Sequence, residues 1–125
     1  MKIYLASRYA NKPAMRRARH KIHAHTGHEV VSRWLDEEHE SDAAINDAQA
    51  AEYALIDSED IERSNMIILF TTGGGSGCFD EFGYARALGK QRVILGEPEN
   101  IFHRMDDVKV FKTALSLLRF LEAMP

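Results

Sequence analysis

The sequence predicts an α/β protein with a three-layer, doubly wound parallel sheet, on three observations. Short continuous apolar runs stand at Ile3-Tyr4-Leu5-Ala6 and Met66-Ile67-Ile68-Leu69-Phe70. Stretches of helical character lie between such runs, and glycines punctuate the joins. A continuous run, unlike an alternating one, marks a strand covered on both faces, and helices on both sides of a parallel sheet supply that cover.

Taken in order, Ile3-Tyr4-Leu5-Ala6 is the first strand, and a weaker one, Glu29-Val30-Val31, follows Gly27. Met66 to Phe70 forms the central strand, and Val93-Ile94-Leu95 follows the turn at Gly89. Helices are expected over residues 13–25, 43–63 and 79–88. Pro13 suits a first helical turn, while Gly27 and Gly89 suit C-terminal stops. Residues 112–123 carry Leu115, Leu118 and Leu121 at helical spacing and predict a last helix. Asp36-Glu37-Glu38-His39-Glu40-Ser41-Asp42 is polar and is expected to be a loop. No repeat, low-complexity stretch or linker interrupts the chain, so residues 1–125 are expected to form a single domain, Rossmann- or flavodoxin-like in type.

Composition narrows the function classes. The chain has 125 residues, 45% hydrophobic and 28% charged, enough to bury a core without staples. A net charge of −3 argues against a nucleic-acid polymer as partner. The one cysteine, Cys78, leaves no internal disulfide framework and fits a reducing, cytoplasmic setting. No apolar run approaches the roughly 20 residues of a membrane span, and the start is too short in apolar residues for a signal peptide.

In doubly wound sheets ligands bind at the carboxyl ends of the strands. Three loops therefore matter: Ser7 to Lys12, Ser32 to Asp42 and Thr71 to Asp80. The last is the most informative. Gly73, Gly74, Gly75 and Gly77 permit close approach of a ligand to the backbone, and Ser76 lies among them. The following helix start offers free N–H groups and a positive dipole end, suited to phosphate or a sugar hydroxyl. Glu81 is expected in the first turn of that helix, ionised by the dipole and able to act as a nucleophile at a sugar carbon. The plainer alternative makes Asp80 and Glu81 simple helix-start acids.

Around this loop the residues resemble a family. Glu81-Phe82-Gly83-Tyr84-Ala85-Arg86-Ala87-Leu88-Gly89-Lys90 is similar to the E-x-G-x-A-x-A-x-G-K signature of nucleoside 2-deoxyribosyltransferases, relatives of the 2′-deoxynucleoside 5′-phosphate N-hydrolases. Asp57-Ser58-Glu59-Asp60-Ile61-Glu62-Arg63-Ser64-Asn65 resembles the family's D-x-x-x-I-x-x-S-D lead into the central strand. The opening Lys2 to Ser7 and the later Glu99-Asn100-Ile101-Phe102-His103 resemble short, phage-type members. The resemblance implies Glu81 as nucleophile at C1′ of deoxyribose and Asp57 as the residue serving the leaving base. It implies a small-molecule nucleoside or nucleotide as partner, no metal or organic cofactor, and a homodimer or larger homo-oligomer. It also suggests His103 as a residue reaching a neighbouring subunit. Gly75 stands where transferases carry aspartate and hydrolases serine, with Ser76 adjacent, and Asn65 stands where aspartate is common.

Ser7, Arg8 and Tyr9 follow the first strand; Arg8 suits a phosphate, and a tyrosine suits the carboxylate or the sugar. Trp34 is suited equally to stacking on a base and to core packing. Asp60 reads as a surface or capping acid, and Arg16, Arg17, Arg19 and Lys21 as a solvated basic face. His20, His23, His25 and His28 lack the spacing of metal ligands and read as surface residues. Cys78 reads as a small packing residue. Two rivals remain. Gly74 to Glu81 also resembles the G-G-x-G-T-x-x-E motif of cytokinin riboside 5′-monophosphate phosphoribohydrolases, with Cys78 in place of threonine. A non-catalytic nucleotide-binding module would keep the glycine loop and demote Glu81 to a sugar ligand.

Overall fold

Four apolar side chains in succession, Met66 to Leu69, are wholly buried at the centre of a computed structural model that describes residues 1–38, 45–71 and 75–125. They lie in β3 (Met66–Phe70), flanked by β1 (Lys2–Ala6) and β4 (Gln91–Leu95). Each such residue contributes roughly 1.5–3 kcal/mol by leaving water. Two outer strands complete the sheet, β2 (Glu29–Val30) and β5 (Val108–Phe111). The order is β2-β1-β3-β4-β5, every pairing parallel.

Among the described residues four α-helices cover the sheet: α1 (Lys12–His25), α2 (Asp47–Arg63), α3 (Ser76–Ala87) and α4 (Ala114–Ala123). α1 packs with α4, and α2 with α3. The chain order reverses between β1 and β3, so the crevice at their carboxyl ends is the switch point where such folds bind ligands. No helix among the described residues is long and apolar enough to cross a membrane.

The expected strands are all present, with ends moved by one or two residues. β5 is an addition. Val108-Lys109-Val110-Phe111 is short and interrupted by Lys109, and at the sheet edge it is only partly covered. α2 begins at Asp47, later than expected, because Asn46 caps it. Its side chain accepts from the Gln49 N–H at 2.9 Å, and the Gln49 side chain accepts from the Asn46 N–H at 3.0 Å. The early part of the expected helix, 43 and 44, lies outside the described residues, as do 39–42 of the expected polar loop. Before that loop, Arg33–Asp36 forms a 3-10 turn.

Three expectations about side chains are corrected. Asp60 is wholly buried, not a surface acid. It accepts from the Arg33 N–H and Nε at 2.8 Å each and from Arg63 Nε at 3.1 Å, tying the 3-10 turn to α2. His28 is buried, not exposed: its ring bonds the amino terminus at 2.9 Å and the Leu121 carbonyl at 2.8 Å. The basic face of α1 is partly tied down. Arg16 Nε donates to the Leu35 carbonyl at 2.6 Å, and Arg19 makes a two-pronged contact with Asp36 at 3.1 Å.

Candidate active site

β1 runs into the floor of the crevice, and Tyr4 lies in it with no exposure at all. A buried tyrosine hydroxyl needs a partner, and Tyr4 finds one 77 residues away by donating to Glu81 Oε2 in a very short hydrogen bond. Asp57 reaches the same point from α2, and both carboxylates line one cavity of about 970 Å³. Burial holds the Glu81 pKa well above the usual carboxylate range, and the Asp57 carboxyl beside it pushes the same way. The Tyr4 hydroxyl opposes this by bonding the ionised form. Burial, then the Glu81 and Asp57 charges, hold the Tyr4 phenol well above its ordinary value, so it keeps its proton.

This corrects the expected electrostatics of Glu81. α3 starts at Ser76, earlier than expected, which moves Glu81 into the second turn. The dipole acts mainly in the first turn. Glu81 is therefore governed by burial, Asp57 and Tyr4, and it is raised rather than ionised by the helix.

Gly75 caps α3 with φ 103° and ψ 78°. A Cβ there would lie 2.8 Å from Arg8 Cγ and 2.9 Å from Cys78 Sγ. Both favour glycine, and an aspartate or serine on this backbone would be strained and would have to displace Arg8 or Cys78. Ser76 and Gly77 follow, exposed on the cavity wall. Gly73 and Gly74 lie outside the described residues. The Cys78 thiol is buried, donates to the Gly75 carbonyl at 2.9 Å, and is pushed up to about 11 by burial and then by Glu81. It packs the loop and is no thiolate.

The remaining candidates converge on the same cavity. The Ser7 hydroxyl donates to the Phe70 carbonyl at 3.3 Å and accepts from Asn11 Nδ2 at 2.9 Å, locking β1 to β3. Arg8 leans over Gly75. Tyr9 is not the tyrosine on Glu81. Its hydroxyl accepts from Lys12 Nζ, which also sits 3.9 Å from its ring centre. The buried Lys12 additionally holds the Glu37 carbonyl. Trp34 is largely packed, with Nε1 donating to the Leu5 carbonyl at 2.8 Å, while its ring lines the cavity 6.2 Å from Tyr9. Asn65 faces the opposite end of the sheet, where Oδ1 accepts from the Lys2 N–H at 2.8 Å. Among the described residues no cluster of histidine, cysteine and carboxylate is arranged to hold a metal.

Sequence reasoning missed Tyr4 and Lys12, and it expected His103 at a neighbouring subunit, whereas the His103 ring is buried in the cavity wall of its own chain. Tyr4 left one signal: a hydroxyl in an otherwise apolar central strand must be satisfied somewhere.

No protein-family model matches the chain, and no curated protein does. Two solved structures match nearly its whole length. The CMP N-glycosidase BcmB of Clostridium botulinum aligns at a TM-score of 0.65 and 19% identity, over 99% of this chain and 100% of the other. A 2-deoxyribosyltransferase from the psychrotolerant bacterium Bacillus psychrosaccharolyticus aligns at a TM-score of 0.70 and 20% identity, over 94% and 90%. This chain shares their fold. The match confirms the parallel doubly wound architecture expected from the apolar runs, and the strand order adds its flavodoxin-like sequence.

Proposed function

We propose that this protein cleaves or transfers the N-glycosidic bond of a 2′-deoxynucleoside or its 5′-monophosphate, as a member of the nucleoside 2-deoxyribosyltransferase and 2′-deoxynucleoside 5′-phosphate N-hydrolase family. The observation that carries this is the Tyr4–Glu81–Asp57 constellation on one cavity at the switch point. Two adjacent carboxylates under burial share a proton over a range of pH. Tyr4 donates to Glu81 and so assists its ionised form, against burial and Asp57, which raise its pKa. A retaining displacement uses one carboxylate as nucleophile and a second acid for the leaving group, roles we assign to Glu81 and Asp57. Glu81 attacks C1′, the C1′–N bond breaks, and the departing base takes the proton from Asp57. Water or a second base then releases the sugar from the Glu81 ester. The neighbours named as a CMP N-glycosidase and a 2-deoxyribosyltransferase support this chemistry.

The proposed substrate contacts are Ser7, Arg8, Tyr9, Trp34 and the loop Gly73 to Gly77, with no cofactor. Residues 1–125 are taken as one domain, working in the cytoplasm as a homodimer or larger homo-oligomer. The free Cys78 thiol suits a reducing compartment; recovery outside the cytoplasm on cell fractionation would count against that placement.

The test is to incubate the protein with deoxynucleosides and their 5′-monophosphates, with and without an acceptor base, and to measure free base by chromatography. Base release is expected, with Glu81→Ala lowering it by roughly 10³-fold or more. Tight binding without turnover in the unmutated protein would leave a nucleotide-binding module instead. The CMP N-glycosidase neighbour favours ribonucleoside 5′-monophosphates as a second reading. Release from ribosides alone would select it.

A further inference from the structure

The basic face of α1 is only half accounted for by its bonds to Leu35 and Asp36. Arg16 and Arg19 make those bonds, whereas Arg17 and Lys21 are exposed and, among the described residues, pair with no carboxylate. Arg17 and Lys21 stand one turn apart on the same side of the helix. Like charges at that spacing repel and cost stability unless an anion lies between them.

Both line a second cavity, of about 260 Å³, between α1 and the start of α4. No residue lines both this cavity and the Glu81 crevice. Met15, Ala18 and Phe70 make its floor apolar, and among the described residues no carboxylate lines it. Ala114 is the first residue of α4, whose positive dipole end adds to the charge of the rim. A closed apolar cavity of roughly 150 Å³ takes a benzene ring, so there is room here for one ring carrying a short side chain. An aromatic body suits Phe70 and the Met15 thioether. A carboxylate suits Arg17, which can hold it with two parallel N–H donors.

The two cavities are joined by hydrogen bonds. Asn11 lines the second cavity, and its Nδ2 donates to Ser7 Oγ at 2.9 Å. Ser7 lines the crevice and donates in turn to the Phe70 carbonyl at 3.3 Å. Phe70 completes the chain on the floor of the second cavity. Whatever fixes Asn11 and Phe70 therefore fixes Ser7.

We propose that this cavity is a second binding site, for a small aromatic carboxylate, and that its occupancy holds Ser7 in place for the substrate. The effect on turnover rests on the N-glycosidic reading; the site itself does not.

Phenylacetate is the probe, with phenylacetamide and acetate as controls, each titrated while backbone amides are followed by ¹H–¹⁵N NMR. Saturable shifts of the Ala18, Phe70 and Ala114 amides are expected, with phenylacetate binding about tenfold or more tighter than either control. Arg17→Gln and Lys21→Gln, both at exposed positions, should each weaken it by about threefold. The absence of a saturable shift overturns the proposal, as do shifts confined to the crevice around Trp34. Equal binding of the amide, or equal affinity in both variants, overturns it too. In the base-release assay, saturating phenylacetate should lower KM by about fivefold with kcat little changed. An unmoved KM would overturn the coupling to Ser7. Amide shifts at the site without base release from any substrate would instead retain the site and sink the glycosidic reading.

Discussion

Glu81 occupies an environment that favours its protonated form over its charge, and this has a consequence for stability. Burial and Asp57 raise its folded pKa above the unfolded value of about 4.3. A group raised in this way contributes stability that is complete below the unfolded pKa and is lost as pH rises through the folded one. At neutral pH the unmutated protein therefore bears the cost of an active carboxylate. Glu81→Gln should be more stable than the unmutated protein by about 1–2 kcal/mol near pH 8, with the gap closing towards pH 4. Thermal unfolding at the two pH values checks this; a gap independent of pH would refute it. The same raised pKa places the acid limb of the proposed activity above the ordinary carboxylate range, because the nucleophile must be ionised.

The turn Arg33–Asp36 carries Trp34 to the cavity, and Asp60 holds that turn to α2. Asp60 has no exposed surface, whereas Arg33 and Arg63 keep about half of theirs. Removing the carboxylate lets both guanidinium groups return to water, so the loss is less than for a fully buried pair. It still strips the Arg33 N–H of its acceptor. Asp60→Ala should destabilise the protein by about 2 kcal/mol in urea unfolding, with Asp60→Asn losing less. A loss below about 0.5 kcal/mol, the range of an ordinary surface change, would show that the turn is held by other means. Sequence spacing placed Asp57 and Asp60 three apart on one helix and could not separate their fates. One meets Glu81 across the crevice, and the other is closed over by Arg33 and Arg63.

Taken together, the molecule leaves Ile101, Phe102 and Met105 exposed at 74%, 48% and 38% beside the cavity. Exposed apolar residues clustered in this way commonly mark an interface. A homo-oligomer covering them is the expected state in solution. Light scattering at micromolar concentration should give a dimer or larger, and Ile101→Glu should shift it towards monomer. A monomeric unmutated protein would end that proposal.

The alternation of apolar runs with helical stretches dictates the parallel sheet, because a strand apolar on both faces has no other way to leave water. The resemblance around the glycine loop implies Glu81 and Asp57, and both line one cavity. Three features did not follow from the chain. The Tyr4–Glu81 bond spans 77 residues, and nothing local to either residue announces it. The burial of Asp60 depends on two arginines from different segments. The burial of His103 depends on Phe79 and Phe82 of α3. Local pattern specifies what must be buried, whereas partners for buried polar groups come from distant segments that only packing brings together.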